Sequence, residues 1–144
     1  VSEDRNTWGD ELDANVHRIT GEPDDPTLIQ WARFRDQFAE GMSGGYWTLE
    51  DLEQKIAAKR AFFFPGKAAA LVGQIEVYPG GERVFQVLWA VGDVKESMVI
   101  LPGVEALARM MGCTSMLIEG RSAWRKLLAP VGYVPWSVTL HKAL

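Results

Sequence analysis

Residues Arg83–Val91 constrain the fold more tightly than any other stretch. Val84, Gln86, Leu88 and Ala90 alternate with Phe85, Val87, Trp89 and Val91, so both faces of an extended segment are largely apolar. A strand apolar on both sides belongs in the middle of a sheet covered on both faces. Two further extended runs precede it, Ala61–Phe64 and Ala68–Tyr78, with turns at Pro65-Gly66-Lys67 and Pro79-Gly80-Gly81. The period of two therefore predicts a three-stranded meander over residues 61–91.

The flanking segments carry the helical period. Leu28, Trp31, Phe34 and Phe38 recur at three- to four-residue spacing after Pro26 and Thr27, which suit a first turn, and Gly41 stops the run. Thr48 is placed to cap a second helix with Asp51 three residues on, Trp47 is placed to staple onto Leu52, and Leu49, Leu52 and Ile56 form the buried stripe. After the meander, a helix is predicted from about Lys95 to Met111, with Met98, Leu101, Val104, Ala108 and Met111 on one side. Pro102 either kinks it or starts it. Gly112 ends it, Ser115–Glu119 reads as a short strand, and Ser122 caps a helix running to about Ala129. Gly132 breaks the chain, and Tyr133–Leu140 reads as a last strand, bent or at an edge because of Pro135. The predicted order is ααβββαβαβ, an α/β (α+β) single domain with a mixed, largely antiparallel sheet flanked by helices.

Residues 1–25 stand apart from this pattern. They hold eight Asp/Glu against Arg5 and Arg18 and end in Gly21-Glu22-Pro23-Asp24-Asp25-Pro26, which breaks helix and strand alike. The division is therefore an acidic arm over 1–25 and a folded domain over 26–144. Trp8, Leu12, Val16 and Ile19 follow helical spacing in the arm, which points to a protein partner or to self-association through residues 1–25.

Charge and composition exclude several classes. The net charge is −4, with residues 1–60 at −6 and 61–144 at +2. An acidic chain lacks the basic face that nucleic acid demands, and Arg121, Arg125 and Lys126 read as a solvated helix end. A single cysteine, Cys113, allows no internal disulfide, fits a reducing compartment and reads as a buried, inert thiol. With only His17 and His141 beside it, no Cys/His zinc cage is expected, so the metal expectation is none. No apolar run is long enough to span a bilayer and the opening residues do not read as a signal peptide, so the expectation is a cytoplasmic protein with no membrane partner. Ser97, Ser115 and Ser122 have no histidine at a spacing that suggests a nucleophile pair.

The order of elements resembles the GNAT acyltransferase fold. The resemblance covers about residues 26–140 and is sharpest from Phe85–Val91 through Gly112-Cys113, Met116-Leu117-Ile118-Glu119 and Trp124-Arg125-Lys126-Leu127-Leu128 to Gly132-Tyr133. Glu119-Gly120-Arg121, Trp124, Leu127 and Val131-Gly132-Tyr133 are most similar to small GNAT-like proteins encoded by bacteriophages, which implies the host cytoplasm or a virion as the location. The resemblance implies acetyl-CoA as cofactor. Backbone at Leu88 and Trp89 would hold the pantetheine, and the loop Gly92–Ser97 would face the diphosphate.

Against the family pattern Arg/Gln-x-x-Gly-x-Gly/Ala, counted back from Gly112, Gly92 stands for the arginine, Lys95 for the first glycine and Ser97 for the last, with Asp93 and Glu96 beside them. The tyrosine that serves the family as general acid falls on Leu128, which has no proton to give. Tyr133 reads as a packing residue. Glu119, at a strand end near the implied cleft, is the candidate general base, or else pairs with Arg121. Two functions follow: an acetyl-CoA-dependent N-acyltransferase, or a non-catalytic GNAT-fold protein used for interaction or assembly, of the kind a phage particle contains.

Overall fold

A computed structural model describes residues 26–43, 45–119 and 123–144, so the expectations for the arm over 1–25 and for Arg121 and Ser122 lie outside the described residues. Helix α1 spans Pro26–Met42 and α2 spans Leu49–Ala57. Strands β1 (Phe62–Pro65), β2 (Ala69–Val77) and β3 (Arg83–Gly92) follow, then α3 (Val94–Met110), β4 (Ser115–Ile118), α4 (Ala123–Leu128) and a 3₁₀ turn over Ala129–Val131. The sheet order is β1-β2-β3-β4, antiparallel except for the parallel β3–β4 pair. This is the mixed, mostly antiparallel α/β architecture expected, with β3 inside the sheet.

Both faces are covered, as the two-sided apolar pattern demands. On one face Trp31, Phe34, Phe38 and Met42 of α1 and Leu49, Leu52 and Ile56 of α2 pack on Phe63, Ala70 and Val72. Trp31 stacks on Phe38 at 5.3 Å and meets Phe63 edge-on at 5.1 Å, favourable geometries for aromatic rings. Its indole N–H donates to Glu53 at 2.8 Å, so the buried ring leaves no orphan donor. On the other face Leu101, Val104, Leu107 and Ala108 of α3 pack on Phe64, Leu71, Phe85 and Val87.

Local chemistry sets the helix ends. The Thr48 hydroxyl accepts the Asp51 N–H at 3.2 Å, the cap expected for α2. Trp47 is 41% exposed, with Lys55 Nζ 5.1 Å from its ring centroid, so a cation covers this ring. Pro102 lies inside α3, which continues through it.

The register of β3 against β2 contains one irregularity that shapes the molecule. Val72 opposes Trp89 while Gly73 opposes Val87, so Leu88 is an extra residue in β3. Such a bulge reverses the alternation beyond it. Phe85 and Val87 accordingly face α3, whereas Trp89 and Val91 face α1 and α2. Gly73, opposite the bulge, has no room for a Cβ, which would stand 2.9 Å from the Gln86 carbonyl oxygen and strike the Phe85 ring.

The expected last strand over Tyr133–Leu140 is not formed; residues 133–144 hold no regular secondary structure. The period-two pattern is present in the sequence, yet a strand exists only by hydrogen bonding to a neighbour. No described strand pairs with this segment, and Pro135 brings no N–H.

Candidate functional site

The bulge and the end of the β3–β4 ladder coincide. Parallel pairing runs from Val84↔Ser115 to Val87↔Ile118 and stops, while β3 continues to Gly92. Beyond Val87 no described strand pairs with the β4-facing edge of β3, and a cleft of about 400 Å³ opens there. Leu88, Trp89, Ala90 and Val91 of β3 line it, together with Leu71, Leu101, Ile118, Glu119 and Trp124. The lining is chiefly apolar, with free backbone along one side. An extended chain carrying amide groups could pair with that edge as a strand would.

The cleft leads to the N-terminus of α3, where unpaired N–H groups and the helix dipole favour an anion. That position already has its anion. Asp93 is the N-cap, and its carboxylate accepts the Lys95 N–H at 2.8 Å. The Glu96 carboxylate accepts the Lys67 N–H at 3.2 Å. Arg33 of α1 donates to the carbonyls of Gly66 and Lys67, so the β1–β2 turn is held from both helices and Glu96 has a structural partner. Ser97 is buried, and both its N–H and its hydroxyl donate to the Asp93 carbonyl, at 3.0 and 3.2 Å.

Gly92 owes its identity to β2. Its φ is +91°, and a Cβ would stand 2.7 Å from Ala69 Cα and collide with the Ala68 carbonyl. The Asp93 N–H donates to that same carbonyl at 2.8 Å. Gly92 is thus required by the close approach of two strands.

Solved structures place this arrangement. An acetyltransferase from Trypanosoma brucei superposes with a TM-score of 0.62 at 9% identity, over 81% of this chain and 94% of that one. The ribosomal-protein-alanine N-acetyltransferase of Brucella melitensis gives 0.60 at 12%, over 81% and 94%. A GCN5-related N-acetyltransferase from Ralstonia eutropha gives 0.56 at 13%, over 94% and 92%. The chain has the GNAT acetyltransferase fold. At these identities the likeness is one of fold; no protein-family model and no curated protein matches the sequence.

Within this GNAT fold, Leu88, Trp89, Gly92 and Ser97 all line the cleft, together with Glu119; Lys95 is the exposed residue beside them at the start of α3. Glu119 is exposed at the lip, and its carboxylate accepts the Gln86 amide at 3.4 Å. Leu128, at the family's tyrosine position, is buried at 5% exposure. Tyr133 packs against the α3 core cluster, as expected, and its hydroxyl donates to Glu105 at 2.6 Å. Burial, then the hydrogen bond and charge of Glu105, push this phenol well above its ordinary range.

Cys113 is half-buried rather than fully buried, and desolvation raises its thiol against a smaller opposing effect of Arg83. Among the described residues no group of His, Cys, Asp and Glu could hold a metal ion, and no helix is long and apolar enough to cross a membrane. Sequence reasoning missed the bulge at Leu88 and the Gln86–Glu119 contact. Gly73 facing Phe85 was the one local sign of the first, and nothing signalled the second.

Proposed function

We propose that this chain is a non-catalytic GNAT-fold interaction or assembly protein, a component of a phage particle being the setting that its resemblance suggests. The observation that carries the reading is the Asp93 carboxylate seated on the first turn of α3. A diphosphate there would have to displace it and lie beside Glu96 as well, and like charges at such range repel. The residues present therefore do not fit the diphosphate of acetyl-CoA. Lys95 and Ser97 at the family's glycine positions and Leu128 at its tyrosine position support the same reading.

One observation favours acyl transfer instead. The splayed β3–β4 edge with its apolar cleft is the geometry in which Leu88 and Trp89 would hold a pantetheine arm. Glu119 at the lip would then take a proton from an amine. The two readings separate in a thermal-shift series with acetyl-CoA and with pantetheine, because a ligand that binds only the native state raises Tm with its concentration. The proposal expects no dose-dependent rise with acetyl-CoA. A rise in Tm that grows with the logarithm of acetyl-CoA concentration, with acetyl transfer to an amine, would replace it with the enzyme reading.

A further inference from the structure

The most exposed large apolar side chains are gathered at one place. Among the described residues six are at least 75% exposed: Val134, Trp136, Val138, Leu140, Leu144 and Tyr46. Five of them lie in residues 134–144, and the sixth is joined to that segment, because the His141 ring hydrogen-bonds the Tyr46 hydroxyl at 2.9 Å. The segment is also held at its start, where the Tyr133 N–H donates to the Leu128 carbonyl at 3.1 Å. Exposed apolar surface of this kind marks a place where a protein meets something less polar than water.

The charge that accompanies these side chains has one sign. Residues 120–144 contain Arg121, Arg125, Lys126 and Lys142 and no Asp or Glu, whereas the acidic excess of the chain lies in residues 1–25. Arg125 and Lys126 are exposed on α4, next in sequence to Leu127 at 41% exposure, and Lys142 is exposed beside His141. Cations together with exposed aliphatic and aromatic side chains suit an anionic bilayer surface, which offers phosphates to the first and an acyl boundary to the second. Nucleic acid shares the phosphates but gives valine and leucine no apolar medium to enter. Trp136 and Tyr46 are the ring types that settle where water and membrane meet.

We propose that this face binds the surface of a membrane containing anionic phospholipid, with residues 134–144 lying along it. Val134, Trp136, Val138 and Leu140 alternate with Pro135, Ser137 and Thr139, so an extended segment turns four large apolar side chains one way. Residues 133–144 form no regular secondary structure. Their backbone polar groups therefore stay in the wet headgroup layer, and only the side chains enter the acyl boundary. Arg125, Lys126 and Lys142 meet the lipid phosphates, each cation near such a surface strengthening binding roughly fivefold. The chain's net charge of −4 does not oppose this, because at physiological salt a charge acts over only about 8 Å and the local sign decides. The sequence expectation of no membrane partner rested on the lack of a spanning run, and a segment that lies on the surface needs none. This binding is independent of whether the cleft holds acetyl-CoA.

Flotation of the full chain with phosphatidylcholine vesicles, with and without phosphatidylserine, tests it at physiological salt. The chain should float with the mixed vesicles and not with phosphatidylcholine alone. Trp136→Ser/Leu140→Ser should abolish flotation at an unchanged melting temperature, since the two side chains are 81% and 90% exposed. Arg125→Gln/Lys126→Gln should weaken binding to the mixed vesicles by roughly 25-fold, and added salt should weaken native binding in the same direction. A native chain that stays down with mixed vesicles would overturn the proposal, as would flotation that survives Trp136→Ser/Leu140→Ser. So would a native dimer that this double substitution makes monomeric without any flotation, which would assign the face to a second copy. A nucleic-acid oligomer bound as tightly as the mixed vesicles would overturn it as well.

Discussion

Gly92 shows how one residue is fixed by its neighbours rather than by chemistry. Its positive φ and the nearby Ala68 carbonyl both reject a side chain, so Gly92→Ala should cost about 2–4 kcal/mol in urea unfolding, strain and overlap together. Tyr133 makes a second test at this scale. Its phenol is harder to ionise folded than unfolded, because of burial and Glu105. The stability it contributes is thus complete below the unfolded value of about 10 and is lost as pH rises beyond it. Tyr133→Phe should cost about 1 kcal/mol at neutral pH, and its stability should fall less steeply than native above pH of about 10. At the residue scale the sequence disclosed types but not partners: the carboxylates of Asp93 and Glu96 were visible beside the loop, whereas their acceptance of the Lys95 and Lys67 N–H groups needed the fold.

Among the elements, α4 forms over Ala123–Leu128, close to its expected span, and its residues differ in burial. Leu128 is buried at 5% exposure, whereas Leu127 is 41% exposed and Trp124 is half-buried. Trp124→Ala should therefore cost about 1–3 kcal/mol, below the 3–5 expected for emptying a fully buried aromatic site. Phe38 in α1 is fully buried, and Phe38→Ala should reach that higher range in thermal unfolding. Asp93→Ala should lower stability by about 1 kcal/mol through loss of the α3 cap.

The stripes of α1 and α2 were legible because a helix repeats one spacing over several turns. The bulge at Leu88 was not, since one extra residue leaves a two-sided apolar strand looking the same on both sides of it. The last strand failed for another reason: alternation in Val134–Leu140 specifies a face, and pairing depends on a neighbour that the segment's own sequence does not name.

At the scale of the molecule, the bulge, the splay and the cleft are one event. Two helices cover one sheet face and α3 the other, and β3 changes allegiance between them at the residue where β4 leaves it. The GNAT fold thus keeps its opening even though the helix that lines it is capped by the chain's own carboxylate. The meander was readable from turns and alternation, and with it the fold; the opening itself arises from long-range register, which short-range patterns do not encode. Calorimetric titration of the full chain with acetyl-CoA at about 0.15 M salt, where screening limits repulsion between the cofactor and the chain's own carboxylates, decides whether this opening holds acetyl-CoA. No saturable heat is expected up to millimolar cofactor. Saturable binding in the micromolar range would contradict it.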